Sequence, residues 1–216
     1  MKKRLHFVVT AGPTREFLDP VRFLSNPSTG KMGFAVARAA AKLGHDVTLV
    51  AGPVALKTPH GVKRVDVVSA REMFEAVKEA VTSGCIFVAT AAVADWRPAT
   101  CATNKLKKAE MSDIVKLVRN PDILKSVGGC VKVGFAAETG DVLEEAARKC
   151  REKGLDFVVA NDVSAKGCGF GVKTNRVSFV WPDGRIDRHP MMSKDSVARR
   201  IVRAVEQIAA MRVLGP

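Results

Sequence analysis

The chain has 216 residues, 47% of them apolar and 26% charged, with 35 Lys and Arg against 22 Asp and Glu for a net charge of +13. This length and balance suffice for one core burying about 70% of the extended surface and exclude disorder as the overall state. Arg38, Lys42, Asp46 and similar charges interrupt the apolar runs before any reaches the ~18 residues of a membrane span.

Met1-Lys2-Lys3-Arg4 imitates the charged start of a secretory signal, but the apolar run that follows is short and leads into Thr10-Ala11-Gly12-Pro13, so a strand is expected over 5–10. Further apolar, β-branched runs predict strands at 47–51, 65–69, 86–90, 131–135 and 157–160, too continuous for a sheet wetted on one face. Helical patterns fall between them at 30–43, 70–82, 121–127 and 138–153, with a last amphipathic helix at 193–211. Ser28 and Thr29 are expected to cap the first helix, and Gly44 and Gly154 to follow helix ends. The alternation implies an open α/β sandwich with a mostly parallel sheet. Residues 96–113 and 167–187 break it and are expected to be loop and hairpin excursions, the second holding a strand at 176–181 and the turn Pro182-Asp183-Gly184. Without a repeat or linker, residues 1–216 form a single domain.

Cysteines at 85, 101, 130, 150 and 168 include no Cys-x-x-Cys pair, which supports neither a disulfide framework nor a zinc site and fits a reducing cytoplasm. His6, His45, His60 and His189 are scattered and suggest no catalytic triad. The positive charge is concentrated early, with 17 basic against 8 acidic residues up to position 108 and 18 against 14 beyond it, and calls for an anionic partner. Tyrosine is absent, aromatics make up 6%, and no stacking motif interleaves with the basic residues as in single-strand binders, so small phosphorylated ligands explain the charge as well as nucleic acid does.

Several segments could hold such a ligand. The loop at Gly12 lacks Gly-x-Gly-x-x-Gly, which disfavours a nicotinamide enzyme. Residues 25–33, Ser-Asn-Pro-Ser-Thr-Gly-Lys-Met-Gly, open a helix with backbone N–H groups suited to a phosphate, or simply pack a capped helix on the sheet. They are not a Walker motif, since Ser25 and Met32 stand where Gly and Ser/Thr are needed. The run Ala91-Ala92-Val93-Ala94-Asp95 offers small residues and an acid; Lys105, Lys107 and Lys108 crowd three ammonium groups into one loop, facing either solvent or a polyanion. Val118-Arg119-Asn120-Pro121-Asp122 opens another helix, Phe135 lines a base pocket or fills the core, and Lys149 and Lys153 share a helix face where Glu145 and Glu152 can offset them.

Together with Thr10–Glu16, Leu18-Asp19-Pro20-Val21-Arg22, Gly134–Thr139 and Ala160-Asn161-Asp162-Val163-Ser164, these segments resemble, in order and spacing, the phosphopantothenate-cysteine ligase family of coenzyme A biosynthesis in its bacterial, CTP-using form. The resemblance implies a Rossmann-like open, mostly parallel sheet flanked by helices, with an excursion used for dimerisation, and a cytoplasmic homodimer. It implies Mg2+, CTP as co-substrate, and joining of L-cysteine to 4'-phosphopantothenate through an acyl-cytidylate. Asn26 and Lys105 are then the catalytic residues, and Arg22, Asn26 and Ala92 bind the substrate. Gly12, Asp95, Lys105, Val118, Arg119, Asn120, Pro121, Phe135, Lys149 and Lys153 bind the nucleotide, and metal ligands stay unassigned. Many bacteria fuse this domain behind a flavin-dependent decarboxylase; none is expected within 1–216, which leaves a free-standing or excised domain with a separate decarboxylase as a possible partner.

Overall fold

The computed structural model describes residues 3–108, 113–138, 142–162, 169 and 171–214. The elements run β1 (His6–Ala11), β2 (Arg15–Phe17), β3 (Phe23–Ser25), α1 (Lys31–Lys42), β4 (Asp46–Ala51), β5 (Lys63–Asp66), α2 (Ala70–Ala80), β6 (Ile86–Ala89), β7 (Trp96–Pro98), β8 (Leu117–Arg119), α3 (Ile123–Ser126), β9 (Val131–Glu138), α4 (Val142–Glu152), β10 (Phe157–Asp162), β11 (Thr174–Asn175), β12 (Val177–Val180), β13 (Ile186–Arg188), β14 (Met192–Ser193) and α5 (Lys194–Leu214). Eight strands form one sheet in the order β5-β4-β1-β6-β9-β10-β12-β13. The six from β5 to β10 are parallel, and β12 and β13 add an antiparallel edge. Counted in chain order, the parallel strands run 3-2-1-4-5-6, so the winding reverses between β1 and β6, where open α/β sheets gather their ligands.

Alternation along the strands sorts the core into two layers. Phe7 and Val9 of β1 face α1 and α5, packing on Phe34, Ala37, Val197 and Ile201, while Val8 faces the opposite layer with Met73, Val77, Leu124 and Ala146 of α2, α3 and α4. α1 lies close on the sheet because its inner face is small: a Cβ on Gly33 would stand 2.4 Å from Thr90 Oγ1 and 2.5 Å from Ala11 Cβ.

The structure revises several expectations. Gly30, at φ 73, is the N-cap of α1 and makes no side-chain cap bond, because the left-handed turn carries the chain past Ser28 and Thr29. The strand expected to stop at 135 continues through Ala136, Ala137 and Glu138, each in register with β10, so α4 begins at Val142 rather than near 138. The strand expected at 65–69 ends at Asp66, and Ser69 instead caps α2, accepting from Glu72 N. Within 167–187, β12 and β13 belong to the main sheet instead of leaving it, since buried Val177, Phe179 and Val180 complete the core beside β10. The hairpin β2–β3 was not anticipated. Gly44 and Gly154 do follow helix ends, both with positive φ. Thr139, Val163, Ser164 and Cys168 lie outside the described residues. Among the described residues, no helix is long and apolar enough to cross a membrane.

Candidate active site

At the reversal point, β1 and β6 stay tied beyond their last residues. Ala92 N donates to Gly12 O at 2.9 Å, Thr14 N to Ala92 O at 3.4 Å, and Asn26 Nδ2 to the same Ala92 oxygen at 3.1 Å. Gly12 permits this at φ 81, and Gly52 backs it so closely that a Cβ there would lie 1.8 Å from Pro13 O. Asn26 is thereby fixed by the main chain it faces.

Two pockets flank this seam on opposite layers of the sheet. One, of about 300 Å³, opens at the N-terminus of α1 and reaches from Asn26 and Ala92 to Asn161, Asn175 and Lys194. The other, of about 530 Å³, lies between β7–β8, α3 and α4 and is lined by Trp96, Arg119, Asn120, Pro121 and Lys153 among others. Their walls meet at Ala91, Val93, Asp95, Phe135 and Lys149, so one cleft crosses the carboxyl edge of the sheet.

The lining is cationic and held in place. Asn120 N and Nδ2 donate to the oxygens of Asp95 and Ala94, both at 2.8 Å, Arg97 reaches Asn120 Oδ1 at 3.0 Å, and the Arg119 guanidinium stacks 4.9 Å from the Trp96 ring centre. Lys149 Nζ donates to Phe135 O at 2.6 Å, and Lys153 pairs with Asp122 at 2.9 Å. Burial pushes the Asp122 carboxyl up, yet the bonds from Lys153 and Lys125 N together hold it below its ordinary value. Glu145 and Glu152 both make their ion pairs with Arg148, and Lys149 adds a weaker attraction that helps hold the Glu145 carboxyl below its ordinary value. At the far end, Asn161 and Asn175 are 7% and 3% exposed, and each keeps an Oδ1 that is buried and unbonded. Two uncompensated acceptors in one pocket wall are costly unless a ligand donates to them.

The hairpin β2–β3 stands on this seam as an arm, rooted where Ser25 Oγ donates to Thr14 O at 2.7 Å. Its tip is the turn 18–22, built on Asp19, whose carboxylate is fully buried. Asp19 accepts from Val21 N, Arg22 N and Arg22 Nε at 2.8–2.9 Å, and the Arg22 guanidinium foremost holds it well below the usual carboxylate range. The lysine loop hangs from this tip: Ala102 N donates to Leu18 O at 2.9 Å, Leu106 N to Asp19 Oδ2 at 3.2 Å, and Arg22 Nη2 to Leu106 O at 2.9 Å.

Residues 2–209 match the family model described as the DNA/pantothenate metabolism flavoprotein C-terminal domain. The chain belongs to this family. The bifunctional coenzyme A biosynthesis protein CoaBC of Vibrio cholerae is 49% identical over 93% of the chain, and that of Bacillus subtilis 47% over 95%. The chain spans about half the length of these curated relatives, 52% and 51% respectively. A crystal structure of the C-terminal domain of a CoaBC protein superposes with a TM-score of 0.79 at 39% identity, covering 94% of this chain and 95% of that one.

Of the residues singled out by their likeness to the family, Asn26, Ala92, Asp95, Arg119, Asn120, Pro121, Phe135, Lys149 and Lys153 line the cleft. Gly12 shapes its floor from behind. Val118, Arg22 and Lys105 line neither pocket: Val118 sits in the ribbon β7–β8, and Arg22 and Lys105 sit at the arm's tip. Asn175 and Lys194 were missed, because a strand asparagine and a helix-start lysine carry no motif; only their burial marks them.

Proposed function

We propose that the chain joins L-cysteine to 4'-phosphopantothenate through an acyl-cytidylate, with CTP as co-substrate. The supporting observation is the joined cleft at the sheet reversal, with cations on its walls and unbonded buried oxygens at its end. A carboxylate resists direct attack by an amine, so the activation step matters most. Its oxygen attacks the α-phosphorus of CTP, the bond to the β-phosphate breaks, and pyrophosphate leaves. The cysteine nitrogen then bonds to the acyl carbon, loses a proton, and CMP departs.

Both steps move negative charge more than they need an acid or base, which suits a site of fixed cations. Arg119, Lys149 and Lys153 face the nucleotide, Asn26 and Ala92 orient the acid, and Lys105 offsets charge on the departing pyrophosphate, a role worth on the order of 3 kcal/mol. Among the described residues, no group of three or more His, Cys, Asp or Glu could hold a metal. Magnesium fits as an ion carried on the triphosphate, whose oxygens and water complete its shell.

The homodimer implied by the resemblance would bury the apolar side chains exposed along the arm and ribbon, namely Val21, Phe23, Leu24, Trp96 and Leu117. A flavin-dependent decarboxylase acting on the product is the natural partner.

The test is pyrophosphate release by the purified chain, which should require CTP, magnesium and 4'-phosphopantothenate together, with CMP formed once cysteine is added. Absence of release with all three present would refute the assignment.

A further inference from the structure

We propose that Asp19 is a positioning residue that fastens the lysine loop to the arm and thereby sets Lys105 for the nucleotidyl step. The catalytic half of this proposal rests on the ligase reading above. Five hydrogen-bonded donors converge on one fully buried carboxylate: Val21 N and Arg22 N on Oδ1, and Arg22 Nε, Arg22 Nη2 and Leu106 N on Oδ2. Two of these close the turn 18–22, and Leu106 N comes from a segment 87 residues away. Arg22 completes the clasp by donating to Leu106 O, so Leu106 is gripped at both its N–H and its carbonyl.

The clasp acts one residue from Lys105. The loop packs three like charges, Lys105, Lys107 and Lys108, whose mutual repulsion favours spreading into solvent. Gripping Leu106 opposes that spreading and lowers the ordering cost when an anion arrives. Arg22 is therefore occupied by Asp19 and the loop, which explains why a residue expected to bind substrate lies outside both pockets.

The clasp is tested without any substrate by limited trypsin digestion of the full chain. Cleavage after Lys105, Lys107 and Lys108 should be at least about tenfold faster in Asp19→Asn than in the parent, with cleavage after Lys78 on α2 unchanged. Arg22→Gln, which spares the turn's backbone bonds to Asp19, should do the same and serves if Asp19→Asn does not fold. Equal loop cleavage in the folded variants would overturn the clasp.

Its catalytic consequence is tested by a double-mutant cycle on pyrophosphate release. Asp19→Asn should lower kcat about tenfold with the KM for CTP changed less than about twofold, yet cost less than about twofold in a Lys105→Gln background. Full additivity would show that Asp19 does not work through Lys105 and would overturn the inference. A parent that releases no pyrophosphate would defeat the ligase assignment instead, and with it the catalytic half, leaving the clasp to the digestion result.

Discussion

Lys149 on α4 gives a hydrogen bond to the carbonyl of Phe135 on β9, 2.6 Å away, and the two residues stand together in the wall common to both pockets. A helix side chain is thus tied to the strand residue where the cleft crosses the sheet. Lys149→Met keeps the length and removes the charge. The KM for CTP should rise about tenfold, near 1.5 kcal/mol for one charged contact, with the urea midpoint little moved. An unchanged KM would remove Lys149 from the nucleotide site.

Two glycines offer a paired stability test. Gly33→Ala drives a methyl into Thr90 Oγ1, Ala11 Cβ and the Thr10 carbonyl, so α1 must lift from the sheet, at about 1–3 kcal/mol. Gly128→Ala meets nothing within 4 Å and should be neutral or slightly stabilising through the unfolded chain. Urea denaturation of both reads the contrast, and comparable midpoints would refute the close packing of α1.

Cys85 and Cys130 bring their sulfurs within 2.7 Å at the amino edge of neighbouring strands, and burial first, then this hydrogen bond, pushes the Cys85 thiol up to about 12. The unfolded thiol ionises from about pH 9, so the neutral folded form is favoured below that, and stability falls as pH rises from about 9 to 12. Native Cys85 should resist iodoacetamide at pH 8 while exposed Cys101 reacts, as peptide mass mapping can show. Rapid native labelling of Cys85 would contradict its burial.

Leu24→Asp places a charge among the exposed apolar residues of the arm without touching the core. Sedimentation should show a dimer for the parent and a monomer for the variant, with the thermal midpoint of the monomer fold retained. A parent that sediments as a monomer at micromolar concentration would end the dimer proposal.

Most of the parallel sheet was legible because strands buried on both faces must be apolar throughout, as at Val8-Val9 and Phe87-Val88. The hairpin β2–β3 was not, since Phe23 and Leu24 are exposed and the strands carry only three residues each. The cap of α1 was misplaced because Ser28 and Thr29 have the right chemistry, while the φ of Gly30 is a backbone property that composition does not display. Most family-like positions did converge on one cleft, whereas the bond of Arg22 to Leu106 and the pairing of Lys153 with Asp122 join distant stretches of chain that no local pattern records.

The strand that comes earliest in the chain order of this sheet ends up in its middle, with β4 on one side and β6 on the other. As the polypeptide leaves the ribosome, β1, β4 and β5 can pair early, but the second edge of β1 stays open until residues 86–89 emerge. Slow synthesis across 52–85 would prolong exposure of an apolar edge, which is the interval when misassembly with other nascent chains is most favoured and when a chaperone would contribute most.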